Sequence, residues 1–523
     1  MYDVCIIGGG VVGCAIAREL SRYRLNVVLC EKSVDVGNGA TKANSAIVHG
    51  GYTATHGTLK GELSIRGNRM YDRLNDELNF GLRRCGSLVL AFSEEDRSSL
   101  TKLKKNGELN SVKGLKIIER AELEQMEPNV GPEAVAALYC PETAITSPYE
   151  MCIALAENAV TNGVELRLES EVLDIQKTDG AFTVRTEKAI TGPAETGSGQ
   201  PGRVATETGA SGPSQSGPAA SATQELRARF VVNAAGVYSD RIAAMVGDSS
   251  FAIQPRQGQY LILRRGDGDM VKHVVFQTPT KKGKGILVTA TYWNNLMIGP
   301  NSEEIPDRDD VSTNRQILKY IVDTARRSIP DFKLSHVIRS FSGIRATSDS
   351  KQFIINEAPI GGFINVAGID SPGLTASPAI AEKVSGLLQN AGLTLEEDPQ
   401  FNPHRPKINS PAPLQPIKEV QELIELPEGN PERVVCRCEQ IREKTIVDAL
   451  GRGIPIKSLD AVKRRTRAGM GPCQGTFCGP RVRRLIARET GISEDEVLPR
   501  SSGSGILPER VSGKELRKID EGG

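Results

Sequence analysis

Short apolar runs alternate with glycine turns and amphipathic helical stretches along most of this chain. "YDVCII" (2–7) is apolar and of strand length. "GGGVVGCAIAREL" then turns on glycines into a helical pattern, and "NVVLCE" (26–31) reads as a second strand. The order predicts a β-α-β unit. A helix is predicted near 148–162, with Pro148 at its start and Gly163 past its end. "GVELRLESEVLDIQ" reads as strands. From 251 to 300, "GQYLILRR", "HVVFQT", "GILVTAT" and "NLMIGP" predict short strands of an antiparallel sheet that covers a substrate.

Two stretches break the pattern. Residues 189–223 are mostly Ala, Gly, Ser, Thr and Pro and contain no aromatic residue. Such a segment cannot bury enough apolar surface to offset its ordering entropy, so a disordered insertion is expected between the strands "AFTVRTE" and "RARFVVNAAG". Residues 401–432 are proline-rich and read as a linker. The expected organisation is therefore 1–400, a 401–432 linker, and a separate small domain with its tail over 433–523. Within this C-terminal segment a helix ends at Gly451 and Gly453, and a second restarts at the N-cap candidate Ser458. Gly479-Pro480 opens a third helix, stopped by Gly491, and Ser493-x-x-Glu496 forms a capping box.

The chain has 523 residues, with 65 Lys+Arg against 64 Asp+Glu. That balance argues against a nucleic-acid binder held by bulk charge. No apolar run approaches a transmembrane segment. Asp3 sits inside the first apolar run with no basic region before it, so a signal peptide is not expected. Six of the ten cysteines are scattered, several in apolar runs, as in a reducing compartment; the other four cluster between 436 and 478.

Three constellations carry chemistry. Gly8-x-Gly10-x-x-Gly13, with Val12, lies between strand and helix, where the backbone can approach a pyrophosphate on a helix N-terminus. Glu31, followed by Lys32, closes the second strand, where a carboxylate can bond a ribose hydroxyl. "VVNAAGVYSD", with Ala234 and Gly236, is a strand returning beside the first sheet. "VAGIDSPGLTASPAIAEKV" (366–384), with Gly368, Gly373, Leu374 and Thr375, is again strand, glycine loop and helix. Three such pieces suggest a large, extended cofactor. The third constellation is Cys436-x-Cys438 with Cys473-x4-Cys478. Zinc sites favour two to four residues within each pair, which the one-residue spacing of Cys436 and Cys438 fits poorly, whereas the four-residue spacing of Cys473 and Cys478 occurs in [2Fe–2S] ligation.

The motifs "GGGVVGCAIARELS", "NSAIVHGGY", "GTLKGELSIRGNRMYD", "NAAGVYSD", "GIRATSD" and "GIDSPGLTASP" fall in one order over 1–400. In that order the chain resembles FAD-dependent oxidoreductases of the D-amino-acid-oxidase type, within them glycerol-3-phosphate dehydrogenases and L-2-hydroxyglutarate oxidases. The resemblance implies an α/β FAD-binding Rossmann-like domain with an α+β antiparallel-sheet substrate domain. It implies FAD on the pieces above and on Thr41, Asn44, Ser45 and Val172, with His49 and Arg345 facing a small anionic hydroxy substrate. His49 would take the hydroxyl proton, and the Arg345 fork suits a carboxylate or phosphate. Tyr52 and Lys351 are weaker pocket candidates, and "TKKGKG" (280–285) could supply charge. Membrane-bound glycerol-3-phosphate dehydrogenases carry an Arg soon after "HGG"; here the chain reads "HGGYTATHG".

"KRRTRAGMGPCQGTFC" resembles a bacterioferritin-associated-ferredoxin-like domain, which implies a small helical [2Fe–2S] domain on the four cysteines. Lys463, Arg464, Arg465, Arg467, Arg481, Arg483 and Arg484 flank them and would balance the charge of an anionic cluster. The fusion resembles anaerobic glycerol-3-phosphate dehydrogenase catalytic subunits. It implies electrons passed to a second flavoprotein or a membrane-associated electron-transfer subunit. The location implied is cytoplasmic, peripheral at the membrane through that partner. Glycerol 3-phosphate is the expected substrate and L-2-hydroxyglutarate or another 2-hydroxy acid the runner-up. An oxidase using oxygen directly and a redox-sensing docking module are the other classes left open.

Overall fold

The computed structural model describes residues 1–188, 223–279, 285–409, 411–500 and 518. Strand β1 (Tyr2–Ile7) lies inside an eight-stranded sheet, parallel to β2 (Val27–Cys30) on one side and to the strand Thr223–Asn233 on the other. A central parallel strand is covered on both faces, which is why "VCII" is apolar without alternation. Helix α1 (Val11–Leu20) follows from an extended Gly10. It packs with the helices Pro148–Thr161 and Gly373–Asn390 over that sheet in the largest core. Glu165–Arg167 extends the parallel side, and Phe363–Ala367 pairs in parallel with Val231–Asn233.

The strands Ser170–Thr178, Ala181–Lys188 and Thr223–Asn233 form an antiparallel flap. The expected insertion lies outside the described residues except for Thr223, which begins a strand. Pairing with Glu187 accounts for this earlier start.

A second sheet has nine strands and carries its own core. Its antiparallel heart joins Ile253–Arg265, Val337–Ser348 and Asn295–Gly299. It is not wholly antiparallel: Val274–Gln277 pairs in parallel with Ser87–Ala91. The strands around 87–140 come from the first third of the chain, so the covering sheet is assembled from two distant segments. No local pattern encodes that parallel pair.

Residues 401–432 are not a free spacer. Arg405 is buried, its Nε donating to Glu157 Oε2 at 2.6 Å. Val420 and Ile424 pack on Val434. Beyond them the short strands Val434–Cys436 and Ile441–Arg442 and the helices Glu443–Leu450, Leu459–Thr466 and Gly479–Thr490 build a small core. Ser458 caps the middle helix by accepting from the Ala461 N–H (3.1 Å). Ser493 and Glu496 form the expected capping box, though it opens only a single 3-10 turn.

This small unit is bolted to the first one rather than standing apart. Arg464 and Arg465 converge on Asp35, which is fully buried: Arg464 Nη2 lies 2.6 Å from Oδ2, and Arg465 donates at 2.7 and 2.9 Å. Arg467 pairs with Glu439 at 2.8 Å and lies over the Trp293 ring at 4.7 Å.

Candidate functional site

One cavity of about 1710 Å³ runs between the two sheets and against the small C-terminal unit. That exceeds an ordinary small-molecule pocket and leaves room for a dinucleotide with a substrate beside it. Gly8, Gly10, Val12, Glu31, Lys32, Thr41, Asn44, Ser45, His49, Val172, Ala234, Gly236, Arg345, Lys351, Gly373 and Leu374 line it.

Gly13, Gly368 and Thr375 act from behind the wall. A Cβ on Gly13 would stand 1.9 Å from Gly8 O, so helix and loop meet only because it is glycine. Gly8 has φ +110°, and a Cβ there would meet Ala234 O at 2.4 Å. Glu31 braces this turn, accepting from Gly9 N (2.7 Å) and Ser33 N (2.8 Å). Val11 N donates to Thr41 Oγ1 at 3.0 Å, tying the helix start to the segment that follows β2.

His49 is held through its backbone. Its N–H donates to Thr375 Oγ1 (2.9 Å) and its carbonyl accepts from Asn68 Nδ2 (2.7 Å). Both partners come from the packed helices Leu59–Leu78 and Gly373–Asn390. These approach closely at Gly67, where a Cβ would lie 2.1 Å from Thr375 O. The imidazole stacks on Phe276 with ring centroids 6.0 Å apart. Tyr52, in contrast, is core: it is 1 % exposed, its hydroxyl sits 3.2 Å from Ser87 Oγ, and it does not reach the cavity. Burial pushes its phenol well above the usual value. The basic loop 280–285 lies outside the described residues except for Gly285.

Arg345 lies opposite Arg256 in the register of Val337–Ser348 with Ile253–Arg265. Gly258 makes room for its guanidinium, since a Cβ there would meet Arg345 Nη2 at 2.6 Å. Arg345 Nη2 donates to Asn301 O at 3.4 Å, while Arg345 Nη1, Arg256 Nε, Ser342 Oγ and Ser147 Oγ are buried without a hydrogen-bond partner among the described residues. All four residues line the cavity. Buried donors are normally satisfied, so the wall is complementary to a polar, anionic occupant. Sequence reasoning missed Arg256: it belongs to no motif, and only strand register places it beside Arg345.

The four clustered cysteines meet as two pairs. Cys478 donates to Cys436, whose sulfur also accepts from Gly469 N (3.4 Å), and the Cys436 thiol is held down at about 7. Cys438 lies against Cys473. Burial raises the Cys473 thiol, but the Phe477 and Gly475 N–H groups outweigh it and leave it below the usual value. Gly471 lets the loop close, since a Cβ there would stand 2.2 Å from Cys438 Cβ. No three His, Cys, Asp or Glu side chains among the described residues converge on one ion position. Two pairs of sulfurs backed by N–H groups fit the four-thiolate donor set that would hold a two-iron cluster.

The flanking cations are mostly committed elsewhere. Arg464 and Arg465 hold Asp35, Arg467 holds Glu439, Arg483 donates to Glu494 O and Arg484 faces Glu428. A buried carboxylate such as Asp35 needs its counter-charges more than a cluster that backbone N–H groups already face.

A glycine-loop dinucleotide fold under a covering sheet, with two arginines and a histidine in the cleft and a four-thiol loop at one end, defines a flavin-type redox protein coupled to an iron–sulfur module. The family model described as FAD dependent oxidoreductase matches residues 3–387, and the BFD-like [2Fe-2S] binding domain matches 434–488. The chain belongs to the FAD-dependent oxidoreductase family, and FAD and a [2Fe–2S] centre are its cofactors. It is 43 % identical over 508 residues to a glycerol 3-phosphate dehydrogenase of Caloramator mitchellensis, covering 97 % of this chain and 98 % of that one. It is 25 % identical to the anaerobic glycerol-3-phosphate dehydrogenase subunit A1 of Haloferax volcanii, over 98 % of this chain and 86 % of that one. Among solved structures it is similar to dithionite-reduced L-alpha-glycerophosphate oxidase from Mycoplasma pneumoniae with FAD bound (TM-score 0.67, 27 % identity, 77 % of this chain and 98 % of that one). No helix among the described residues is long and apolar enough to cross a membrane.

Proposed function

We propose that the protein is an FAD-dependent dehydrogenase that oxidises sn-glycerol 3-phosphate to dihydroxyacetone phosphate and passes the electrons through its [2Fe–2S] centre to a partner protein. The observation that carries this reading is the near full-length match, iron–sulfur region included, to a glycerol 3-phosphate dehydrogenase. The oxidase structure leaves nearly a quarter of this chain unmatched.

When bound, FAD accepts a hydride from the substrate carbon and the cluster carries electrons onward one at a time. The chain's own residues do the rest. Arg345 and Arg256 bind the phosphate with planar forks whose buried N–H groups need an acceptor. His49, fixed through Thr375 and Asn68, takes the proton from the substrate hydroxyl. The Gly8–Gly13 turn and the start of α1 receive the pyrophosphate, with Glu31 and Lys32 beside the ribose end. Thr41, Asn44, Ser45, Val172, Ala234, Gly236 and the 368–375 loop enclose the rest of the cofactor. Cys436, Cys438, Cys473 and Cys478 hold the cluster. Residues 1–400 form the oxidoreductase unit and 433–523 the cluster domain with its tail. The acceptor is a second flavoprotein or a membrane-associated subunit, and the chain works in the cytoplasm, peripheral at the membrane through that partner; a relative named as a subunit supports assembly with a partner.

Anaerobic flavin bleaching with a panel of glycerol phosphates and 2-hydroxy acids tests the substrate. Glycerol 3-phosphate should bleach fastest, and bleaching by L-2-hydroxyglutarate alone would overturn the assignment. Mixing the reduced protein with oxygen tests the electron route. Fast flavin reoxidation, unchanged in Cys473→Ser, would make the protein an oxidase.

A further inference from the structure

The strand Val337–Ser348 sends two arginines into the cavity at opposite ends. Arg345 stands with Arg256. Arg339 is six residues earlier on the same face, about 20 Å away at a strand rise of about 3.4 Å. Between them Phe341 stacks on Tyr260, with centroids 4.7 Å apart and rings nearly parallel. Arg339 therefore belongs to a different region of the cavity, where the iron–sulfur unit closes it.

At that end three pieces of chain bring cations together. Lys42 comes from the 3-10 turn Ala40–Lys42, Arg339 from the covering sheet, and Lys463 from the cluster domain; all three line the cavity. Among the described residues they share few acceptors. Arg339 Nη1 (3.2 Å) and Lys463 Nζ (3.5 Å) both donate to Gln474 Oε1, and Lys42 Nζ donates to Asn38 Oδ1 (2.9 Å). Asp460 is the carboxylate facing them among the described residues. It stands 3.9 Å from Lys42 and is already bonded to Arg464 at 3.1 Å. The field of Arg500, on the same wall, adds to the repulsion. Burial and the neighbouring cations bring both lysines down to about 8. Like charges gathered where water is scarce destabilise one another unless an anion sits among them.

We infer that this seam is a second anion site, separate from the one at Arg256 and Arg345, and that it takes a phosphate-bearing small molecule held by Lys42, Arg339 and Lys463. Its occupant bridges the flavin-binding unit, the covering sheet and the cluster domain, so binding strengthens the docking of that domain.

The test uses the FAD- and cluster-loaded chain, titrated calorimetrically with inorganic phosphate and, separately, with AMP. One saturable site per chain is expected beyond the one at Arg256 and Arg345. Arg339→Met and Lys463→Met, which lie on different units, should each weaken it at least tenfold, Lys463→Arg should retain it, and Arg345→Met should leave it intact. AMP binding more tightly than phosphate identifies a nucleotide occupant, and equal affinity a free phosphate. No saturable binding to the loaded chain overturns the inference, as does loss of the site in Arg345→Met. If Arg339→Met and Lys463→Met release FAD instead, the cations serve the flavin's own pyrophosphate and the inference falls.

Discussion

Removing the Asp35 carboxylate should unfasten the cluster domain. Asp35 is fully buried and accepts three hydrogen bonds of 2.6–2.9 Å from Arg464 and Arg465, whose side chains are 5 % and 0 % exposed. In Asp35→Ala, Arg464 keeps Val36 O and Asp460, and among the described residues Arg465 keeps only Ala461 O and a 3.6 Å approach to Glu157. Leaving such a charge buried without its partner destabilises by about 3–5 kcal/mol. At about 1.4 kcal/mol per decade, that moves the docking equilibrium on the order of a hundred- to a few-thousand-fold. Trp293, the one tryptophan in the chain, lies beneath Arg467 at this seam, so its fluorescence during urea titration reads undocking. Asp35→Ala should undock at clearly lower urea, and Asp35→Ala with Arg465→Met should lose less than Asp35→Ala alone, because the orphaned charge has gone. Burial raises the Asp35 carboxyl, but the two guanidiniums overcome this and hold it below the ordinary value. Its stabilisation is therefore present above the unfolded value and is lost as pH falls through the lower folded one. A midpoint for Asp35→Ala within about 1 kcal/mol of the native chain at pH 7 would refute the reasoning.

Other outcomes follow from single residues. Gly13→Ala pushes a methyl to 1.9 Å from Gly8 O, so the purified protein should lose FAD absorbance and about 1–3 kcal/mol or more of stability; full FAD occupancy would contradict the close-packed turn. Arg345→Met should lower kcat/KM for glycerol 3-phosphate by about 10- to 150-fold and leave the slow reaction with glycerol unchanged, because only the phosphate contact is removed. His49→Gln should slow flavin reduction by about 10²–10⁴ in anaerobic stopped flow without loss of FAD. Burial raises the Glu150 carboxyl to about 7 from 4.5, so stability should fall as pH rises from about 4.5 to about 7. Glu150→Gln, which keeps an acceptor for the Trp293 indole N–H, should stabilise the protein by about 1–3 kcal/mol at pH 8 and scarcely at pH 4 in urea unfolding.

The sequence by itself determined what is local. Short apolar runs and a period-3.6 pattern placed β1, α1 and β2, the glycines marked the turn between them, and the spacing of Cys436, Cys438, Cys473 and Cys478 singled out a cysteine loop suited to a cluster. It also brought His49 and Arg345 forward, through motifs and resemblance. Tertiary structure decided what depends on contacts between distant segments. Register set Arg256 across from Arg345, and burial moved Tyr52 from candidate pocket to core. The parallel pair of Val274–Gln277 with Ser87–Ala91 joined two segments into one covering sheet. The arginines before Cys473 looked like counter-charges for the cluster, yet two of them close on Asp35 near the start of the chain. An ion pair between residues so far apart leaves no periodic trace in the chain. It exists because burying a carboxylate demands compensating charge wherever the fold brings it, and that demand turned an apparent separate domain into one wall of the central cavity.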